Sequence, residues 1–110
     1  RQARALAVGD RVAVGTTVQF QVRDAEAADE DLRGMLAGVS GDAALVFTCN
    51  GRGRRLFGEE DHDARAVARS VPTGAVAGMF CAGEIGPLGG RSFLHGFTAG
   101  IVVFHEPAGG

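Results

Sequence analysis

The sequence predicts an α+β, or mixed α/β, fold in which one mixed sheet carries two helices packed on one face. Three observations support this prediction. Residues 17–23 alternate apolar and polar side chains, as a half-buried strand does. Residues 25–37 repeat apolar side chains at helical spacing, and residues 43–49 are apolar on both alternating faces. The predicted order of elements is β-β-α-β-α-β-β.

Extended structure is predicted ahead of the first helix. Residues 4–8 and 11–14 are short apolar runs joined by a Gly-Asp pair, which is a hairpin-type turn signal. Residues 17–23 form the next strand. A right-handed crossover would place that strand parallel to the strand at 43–49, or one strand away from it.

The first helix is predicted over residues 25–37. Asp24 is a candidate N-cap, because its carboxylate can accept hydrogen bonds from the free amides of the first helical turn. Gly38 is the predicted end of the helix. The acidic residues near the start are expected to form a solvated helix face. The apolar stripe consists of Ala28, Leu32, Met35 and Leu36.

The second half of the chain alternates strands and turns. Residues 43–49 are predicted to form a central strand covered on both faces, and residues 61–70 a second helix that ends before Pro72. Residues 75–82 form another apolar strand. Residues 83–91 are predicted as a turn segment and 92–105 as a strand with an irregularity near Gly96. We expect these last two strands to be antiparallel neighbours.

Composition and charge exclude several classes of function. The net charge is −2, and all 11 basic residues are arginines scattered among 13 acids. A nucleic-acid binder would need a basic face with aromatics near it, so we expect no nucleic-acid partner. No apolar run approaches the length of a membrane-spanning helix and no signal peptide is visible. We therefore predict a cytoplasmic protein with no membrane contact.

Residues 1–110 are expected to form a single domain, with residues 1–14 and 106–110 peripheral. The chain begins at Arg1, without a methionine, and ends in Pro-Ala-Gly-Gly. We therefore expect it to be a piece of a longer protein.

The loop after residue 48 is the first candidate ligand site. Cys49, Asn50, Gly51 and Arg52 lie where a buried strand runs into a loop. Ligands of open α/β sheets bind outside the carboxyl ends of strands. A glycine-flanked turn can aim backbone amides at an anion, and Arg52 could bind a carboxylate through two parallel hydrogen bonds. The alternative is a surface turn whose arginines are solvated.

A second group of candidates combines a thiol, a carboxylate and an imidazole: Cys81, Glu84 and His95. Their order gives no catalytic template, since nucleophile families are defined by geometry. Each residue also has a structural alternative: a small buried thiol, a carboxylate that accepts from loop amides, and a histidine hydrogen-bonded at a strand corner. We assign all three to the ligand pocket and predict no catalytic residue.

His62 lies in a Glu-Glu-Asp-His-Asp run that resembles a metal cluster. Carboxylates adjacent in sequence at a helix start rarely converge on one ion, so helix capping is the favoured role for this run. The two cysteines are too few for a disulfide scaffold and lack the paired spacing of a zinc site. We predict reduced thiols, no metal and no cofactor.

Four segments carry a resemblance to a known family. They read Val-Gln-Phe-Gln-Val-Arg-Asp at 18–24, Ala-Leu-Val-Phe-Thr-Cys-Asn-Gly-Arg-Gly at 44–53 with Leu-Phe-Gly soon after, Val-Ala-Gly-Met-Phe-Cys-Ala-Gly-Glu-Ile-Gly-Pro at 76–87, and Leu-His-Gly-Phe-Thr at 94–98. In this combination, which runs from about residue 15 to 104, the chain resembles the bacterial FIST C domain, the C-terminal domain of F-box and intracellular signal transduction proteins.

The resemblance implies a sensory domain of a bacterial signal transduction protein that binds a small ligand, such as an amino acid or another small carboxylate. It also implies an upstream FIST N-type domain as partner, so this chain would be the C-terminal piece of a longer FIST-type protein. The expected pocket combines residues 49–53, 83–87 and 94–98.

Two alternatives from other classes stay open. One is a cysteine-dependent enzyme that uses Cys49 or Cys81 as its nucleophile, which would require an activated thiolate. The other is an oligomerisation module, a homo-oligomer in which apolar sheet faces pair between chains. The sequence favours the non-enzymatic sensor over both.

Overall fold

The computed structural model describes residues 4–107 and confirms the mixed α/β class. No helix within this range is both long and apolar enough to cross a membrane. The predicted peripheral segments extend at both ends beyond the described residues. The regular elements are α1 (Ala25–Leu36), β1 (Ala43–Cys49), a π-helical turn (Gly53–Phe57), α2 (His62–Ala68), β2 (Val76–Cys81), β3 (Glu84–Leu88), β4 (Arg91–His95) and β5 (Ala99–Phe104).

The main sheet is mixed and has the strand order β2-β1-β5. β1 pairs in parallel with β2, with Phe47 opposite Met79, and antiparallel with β5, with Val46 opposite Ile101. A parallel pair requires a crossover connection, and α2 lies in that connection. β3 and β4 form a separate two-stranded hairpin.

The hydrophobic core lies between one face of β1 and helix α2. Ala44 and Val46 of β1 are buried together with Val67 and Val71. Full burial of a valine side chain contributes about 1.5–3 kcal/mol, so Val67 in α2 and Val71 just after it anchor this segment to the sheet. Both helices cover this face, as the sequence predicts, because Leu36 of α1 also packs against the cluster. The other partly buried side chains around the cluster come from the strands: Val76, Ile101 and Val103.

The opposite face of the sheet is covered only at the end of β1, where Cys49 is buried, so the prediction that β1 is covered along both faces is wrong. Leu45 and Phe47 are only half-buried there. Their cross-strand neighbours Met79 and Val102 are 62% and 46% exposed. The expected homo-oligomer stays a prediction, and this apolar face is where such a contact would form.

Residues 4–24 contain no strand, so the predictions at 4–8, 11–14 and 17–23 are wrong. Within residues 4–107 this segment pairs with neither edge strand of the main sheet, β2 or β5, and a strand without a partner has no hydrogen-bond ladder. The alternating side chains of Val18, Phe20 and Val22 therefore remain exposed. This segment lengthens the molecule: the radius of gyration is 17.6 Å, against about 13 Å for a compact chain of this size.

The last third of the chain also differs from its prediction. The expected turn at 83–91 contains β3 and leads through a Gly-Gly turn into β4. The expected strand at 92–105 is divided at Gly96 and Phe97 into β4 and β5, which confirms the irregularity near Gly96. β5 pairs with β1, so the expected antiparallel pairing with the strand at 75–82 is wrong.

The two helices are close to their predicted positions. α1 ends one residue earlier than expected, and the Asp24 side chain caps it by accepting a hydrogen bond of 3.0 Å from the amide of Ala27. α2 is shorter than the predicted 61–70, and its N-cap residue Asp61 makes no side-chain capping bond. The capping role expected for the acidic run is therefore wrong at Asp61.

We expect Gly78→Ala to prevent normal pairing of β1 with β2. A Cβ atom at Gly78 would overlap the carbonyl oxygen of Val46, and the backbone cannot yield there without breaking the ladder. The expected loss is about 3 kcal/mol or more in the free energy of unfolding, measured by urea denaturation. Gly34→Ala in α1 is the matched control, because open space surrounds that position, and it should raise stability by about 0.5–1 kcal/mol. Equal effects of the two substitutions would contradict this account of β2.

Candidate functional site

Three glycine-containing segments meet at one end of the main sheet. The parallel strands β1 and β2 both end there, and the antiparallel strand β5 begins there. The amide of Cys49 donates to the carbonyl of Thr98 at 2.9 Å, and the amide of Asn50 donates to the carbonyl of Cys81 at 2.8 Å. We call this meeting point of residues 49–53, 81–84 and 95–98 the junction. The predicted pocket combined residues 49–53, 83–87 and 94–98. The junction contains the first segment and parts of the other two, while the rest of 83–87 continues into β3.

The space inside the junction is filled by the ring of Phe97. A Cβ atom at Gly51 would lie 2.7 Å from this ring, so glycine is required for the ring to pack there. Phe97 itself has a positive φ of 62°, a conformation that bulky residues rarely adopt. The segments thus converge by packing against one another rather than by enclosing a hollow.

Arg52 is buried in the junction and uses its guanidinium to join three parts of the chain. Its Nε donates to Oδ2 of Asp63 at 2.7 Å, and its Nη2 donates to Oδ1 of the same carboxylate at 3.0 Å. Its Nη1 donates to the carbonyl oxygen of Phe97 at 3.1 Å. The side chains of Arg52 and Asp63 are 9% and 3% exposed, so this two-point ion pair is shielded from water. Arg52 therefore carries the fork geometry predicted for it, directed at a carboxylate of the protein itself.

Asp63 accepts from two further side chains. The hydroxyl of Thr48, on the core face of β1, donates to Oδ2, and Nδ1 of His62 lies 3.1 Å from Oδ1. Burial raises the pKa of Asp63, but the hydrogen bonds from Arg52, Thr48 and His62 outweigh it and hold the pKa below the ordinary value for an aspartate. Asp63 is therefore a carboxylate at neutral pH, and both of its oxygens are paired with side chains of the protein itself.

His62 links the two helices. Its Nε2 lies 3.0 Å from a carboxylate oxygen of Asp29 in α1, while its Nδ1 faces Asp63 in α2. Carboxylates only accept, so a ring that carries hydrogen on both nitrogens donates to both of them. The ring also stacks on Phe57 with centroids 3.6 Å apart.

Glu84 and His95 lie opposite each other at the end of the β3–β4 hairpin that borders the junction. Oε2 of Glu84 accepts a hydrogen bond of 2.7 Å from the hydroxyl of Thr98, whereas its buried Oε1 has no partner among the described residues. Nε2 of His95 lies 3.0 Å from the carbonyl oxygen of Gly86, which requires this nitrogen to be the donor. Glu84 is thus connected to the junction through Thr98, and His95 braces the hairpin.

Cys49 and Cys81 are free thiols at the ends of β1 and β2. Cys49 is buried and Cys81 is partly exposed, and the two residues are register partners. The thiol of Cys81 lies 3.8 Å from the carbonyl oxygen of Met79, which is a weak contact.

An open groove of about 610 Å³ lies beside the junction, between residues 21–24, one side of α1 and the corner before β5. We call it the Arg23 groove. Its charged lining side chains are Arg23, Asp24, Asp31 and Arg52. The Arg23 guanidinium lies 3.6 Å from the centroid of the Phe97 ring, and within residues 4–107 it takes part in no ion pair.

The seven predicted ligand-binding residues differ in their access to open space. Arg52 lines the Arg23 groove, and Asn50 lines a separate surface groove of about 440 Å³. The other five line neither groove: Cys49, Gly51, Cys81, Glu84 and His95. A third, smaller cavity of about 230 Å³ borders β2 and contains side chains that already bond one another, Thr48, His62 and Asp63. Ligand binding by the seven predicted residues stays a prediction.

The described part of the chain contains no group of three or more His, Cys, Asp or Glu side chains that could hold a metal ion.

Sequence reasoning missed Asp63 as the partner of Arg52. Asp63 lies on the buried face of α2 with Ala66 and Val67, at helical spacing. A charged residue on a buried helical stripe needs a partner, and that spacing was the available signal.

We expect Asp63→Asn to lower the free energy of unfolding by about 3 kcal/mol at neutral pH, because it leaves the buried Arg52 without its counter-charge. The pKa of Asp63 is lower in the folded chain than in the unfolded chain. Its contribution is therefore fully present above the ordinary aspartate pKa of about 4 and is lost as the pH falls below that value. The difference between wild type and variant, measured by urea denaturation across pH, should shrink in acid.

Glu59→Gln is the matched control for this prediction, because Glu59 makes an exposed ion pair with Arg65. Its effect should stay within about 0.5 kcal/mol at every pH. A difference between wild type and Asp63→Asn that persists undiminished in acid would contradict the assignment.

Comparison with known proteins identifies relatives of this chain. Over 106 residues it is 50% identical to an uncharacterized protein of Mycobacterium tuberculosis, an alignment that covers 91% of this chain and 28% of the relative. Over 103 residues it is 52% identical to an uncharacterized protein of Mycobacterium bovis, covering 88% of this chain and 27% of that relative. The chain thus spans little more than a quarter of the length of these curated relatives. No solved structure matches it.

The FIST C domain family matches residues 1–87. The match includes the segments at 18–24, 44–53 and 76–87 that carried the resemblance, while the segment at 94–98 lies beyond it. The resemblance to a bacterial family is confirmed, since the family match covers most of the chain and the relatives are mycobacterial. The chain belongs to the FIST C domain family.

Proposed function

We propose that this domain is a sensory module of a cytoplasmic bacterial signal transduction protein and binds a small carboxylate, such as an amino acid, in the Arg23 groove. The observation that carries the proposal is the guanidinium of Arg23, held against the Phe97 ring at the open groove without an acidic partner among the described residues. The association of the FIST C family with sensory roles in signal transduction supports the same function.

A carboxylate suits the chemistry of this position. An arginine guanidinium binds a carboxylate through two parallel charge-assisted hydrogen bonds. Stacking on Phe97 restricts the orientation of Arg23 before a ligand arrives, which lowers the entropic cost of binding. Arg52 cannot take this role as readily, because Nε, Nη1 and Nη2 already donate to Asp63 and Phe97.

The groove also suits a ligand that carries a positive group. Asp24 and Asp31 line it on the side of α1, and Asp24 is occupied in capping the helix. Asp31 is therefore the acceptor that we assign to a ligand ammonium group. A volume of about 610 Å³ is within the range of small-molecule sites, about 300–1,000 Å³, so an amino acid fits with room for its side chain.

Binding in this groove offers a route to a signal. Its walls come from residues 21–24, from α1 and from the corner before β5, so a ligand would bridge three separate parts of the chain. Residues 4–24 have no regular secondary structure, and their ordering could bias a neighbouring domain. The partner we propose is an upstream FIST N-type domain. The much greater length of the mycobacterial relatives leaves room for one.

The cysteine-dependent enzyme has less support from the geometry. A nucleophilic cysteine is activated by a neighbouring base or cation. The contact of the Cys81 thiol is with a backbone carbonyl, and Nε2 of His95 is directed at Gly86. We therefore favour the sensor over the enzyme.

We expect at least one amino acid or simple carboxylate from a panel to raise the Tm of the domain, and Arg23→Ala to abolish that shift. A ligand at a hundredfold excess over its Kd stabilises a domain by about 2.7 kcal/mol, which corresponds to roughly 10 °C at this size. Arg23 is exposed, so its removal should leave the Tm of the ligand-free domain nearly unchanged. Differential scanning fluorimetry measures both quantities.

Arg91→Ala is the matched control. Arg91 is also an exposed arginine above a phenylalanine ring, 5.7 Å from the centroid of Phe93, but it lies outside the Arg23 groove. This variant should keep the full ligand-induced shift. The proposal is contradicted if a ligand raises the Tm of Arg23→Ala as much as that of wild type, or if no compound in the panel raises the Tm of wild type.

A further inference from the structure

We propose that Cys49 and Cys81 form a reversible disulfide when the domain meets a peroxide, which makes the end of the main sheet a redox-sensitive modification site. This proposal is independent of the ligand function. It rests on the register of β1 and β2, which places the two cysteines directly opposite each other.

The register satisfies the first geometric requirement of a disulfide. Paired residues of neighbouring strands lie about 4.8 Å apart, within the range of about 4.4–6.8 Å found between the Cα atoms of disulfides. Side chains alternate along each strand, and Thr48 and Phe80 face the core side. Cys49 and Cys81 therefore both project from the other face of the sheet, side by side.

The position at the strand ends allows the remaining adjustment. Side chains at paired positions start about as far apart as the strands, ~4.8 Å, whereas Cβ atoms in disulfides are about 3.8 Å apart. Cys49 and Cys81 are the last residues of β1 and β2, so the required approach of about 1 Å is local. Such a bond is strained, and strained disulfides are the easily reduced, regulatory ones.

The two thiols differ in access in a way that assigns their roles. Cys81 is partly exposed and meets the oxidant, while Cys49 is only 4% exposed and resolves the intermediate. Oxidation by added peroxide needs only the thiolate fraction of an accessible cysteine, without the activating neighbour that an enzyme nucleophile requires. The Cys81 thiolate attacks one oxygen of hydrogen peroxide, the O–O bond breaks, and Cys81 becomes a sulfenic acid as hydroxide leaves. The sulfur of Cys49 then attacks that of Cys81, the S–O bond breaks, and hydroxide leaves. The hydroxides take up the two thiol protons, so two thiols and one peroxide give one disulfide and two waters.

The modification would act on the junction directly. The Asn50 amide donates to the Cys81 carbonyl, and Arg52 follows two residues later. Drawing the strand ends together therefore alters the loop that carries Arg52. A thiol buffer would restore the original spacing.

The test is peroxide titration of the folded chain at low protein concentration, followed by unfolding, alkylation with N-ethylmaleimide and intact-mass measurement. The expected product is a monomer lighter by two hydrogen atoms, with no alkylated cysteine, that dithiothreitol converts back to the doubly alkylatable form. In urea the share of intrachain disulfide relative to oxygen adducts should fall, because unfolding removes the register that holds the thiols together.

Single variants separate the roles of the two sulfurs. In Cys49→Ala, dimedone should trap a sulfenic acid at Cys81, and in Cys81→Ala the buried Cys49 should stay unmodified under the same peroxide dose. If Cys49→Ala does not fold, the wild-type mass result decides alone. The proposal is overturned if wild type gives oxygen adducts with Cys49 still alkylatable, forms disulfides only between chains, or keeps both thiols reduced.

Discussion

The buried pair between Arg52 and Asp63 is the contact on which the junction end of the sheet depends. One guanidinium connects the loop after β1 to helix α2 and, through the carbonyl of Phe97, to the corner before β5. Helix α2 has only seven residues, and a helix of that length has little stability of its own. Its position is set by Val67 and Val71 in the core and by this ion pair at its first turn.

Because Arg52 is satisfied within the fold, we place the proposed ligand site at Arg23. The charge of Arg52 is neutralised by Asp63, and its remaining guanidinium nitrogen donates to the carbonyl oxygen of Phe97. The open groove lies beside the junction, and there the guanidinium of Arg23 contacts the Phe97 ring and has no acidic partner among residues 4–107. Arg52 and Phe97 thus line the groove, and a substitution that displaces Phe97 would also displace Arg23, which stacks on its ring.

Local signals in the sequence predicted the parts of the fold that local physics determines. The Asp24 cap and α1 follow from the acidic N-cap and the helical stripe, and β1 follows from its apolar run. The strand expected at 17–23 failed because alternation states only that a segment could pair, while a partner strand is a property of the whole sheet. Convergence of the three glycine-containing segments was predictable from strand ends. The Asp63 partner was not recognised, because the acidic run that contains Asp63 was assigned to helix capping, whereas Asp63 lies on the buried face of α2 with Ala66.

The role of the Arg52–Asp63 pair is tested most directly by amide hydrogen exchange, measured by NMR in wild type and in the double variant Arg52→Met/Asp63→Leu. This variant replaces the ion pair with apolar side chains, so neither position leaves an unpaired buried charge. If the pair holds the junction, the amides of Cys49 and Asn50 exchange faster in the variant, while that of Ala44 at the other end of β1 is unchanged. Unchanged protection of Cys49 and Asn50 in a folded variant would contradict the central claim.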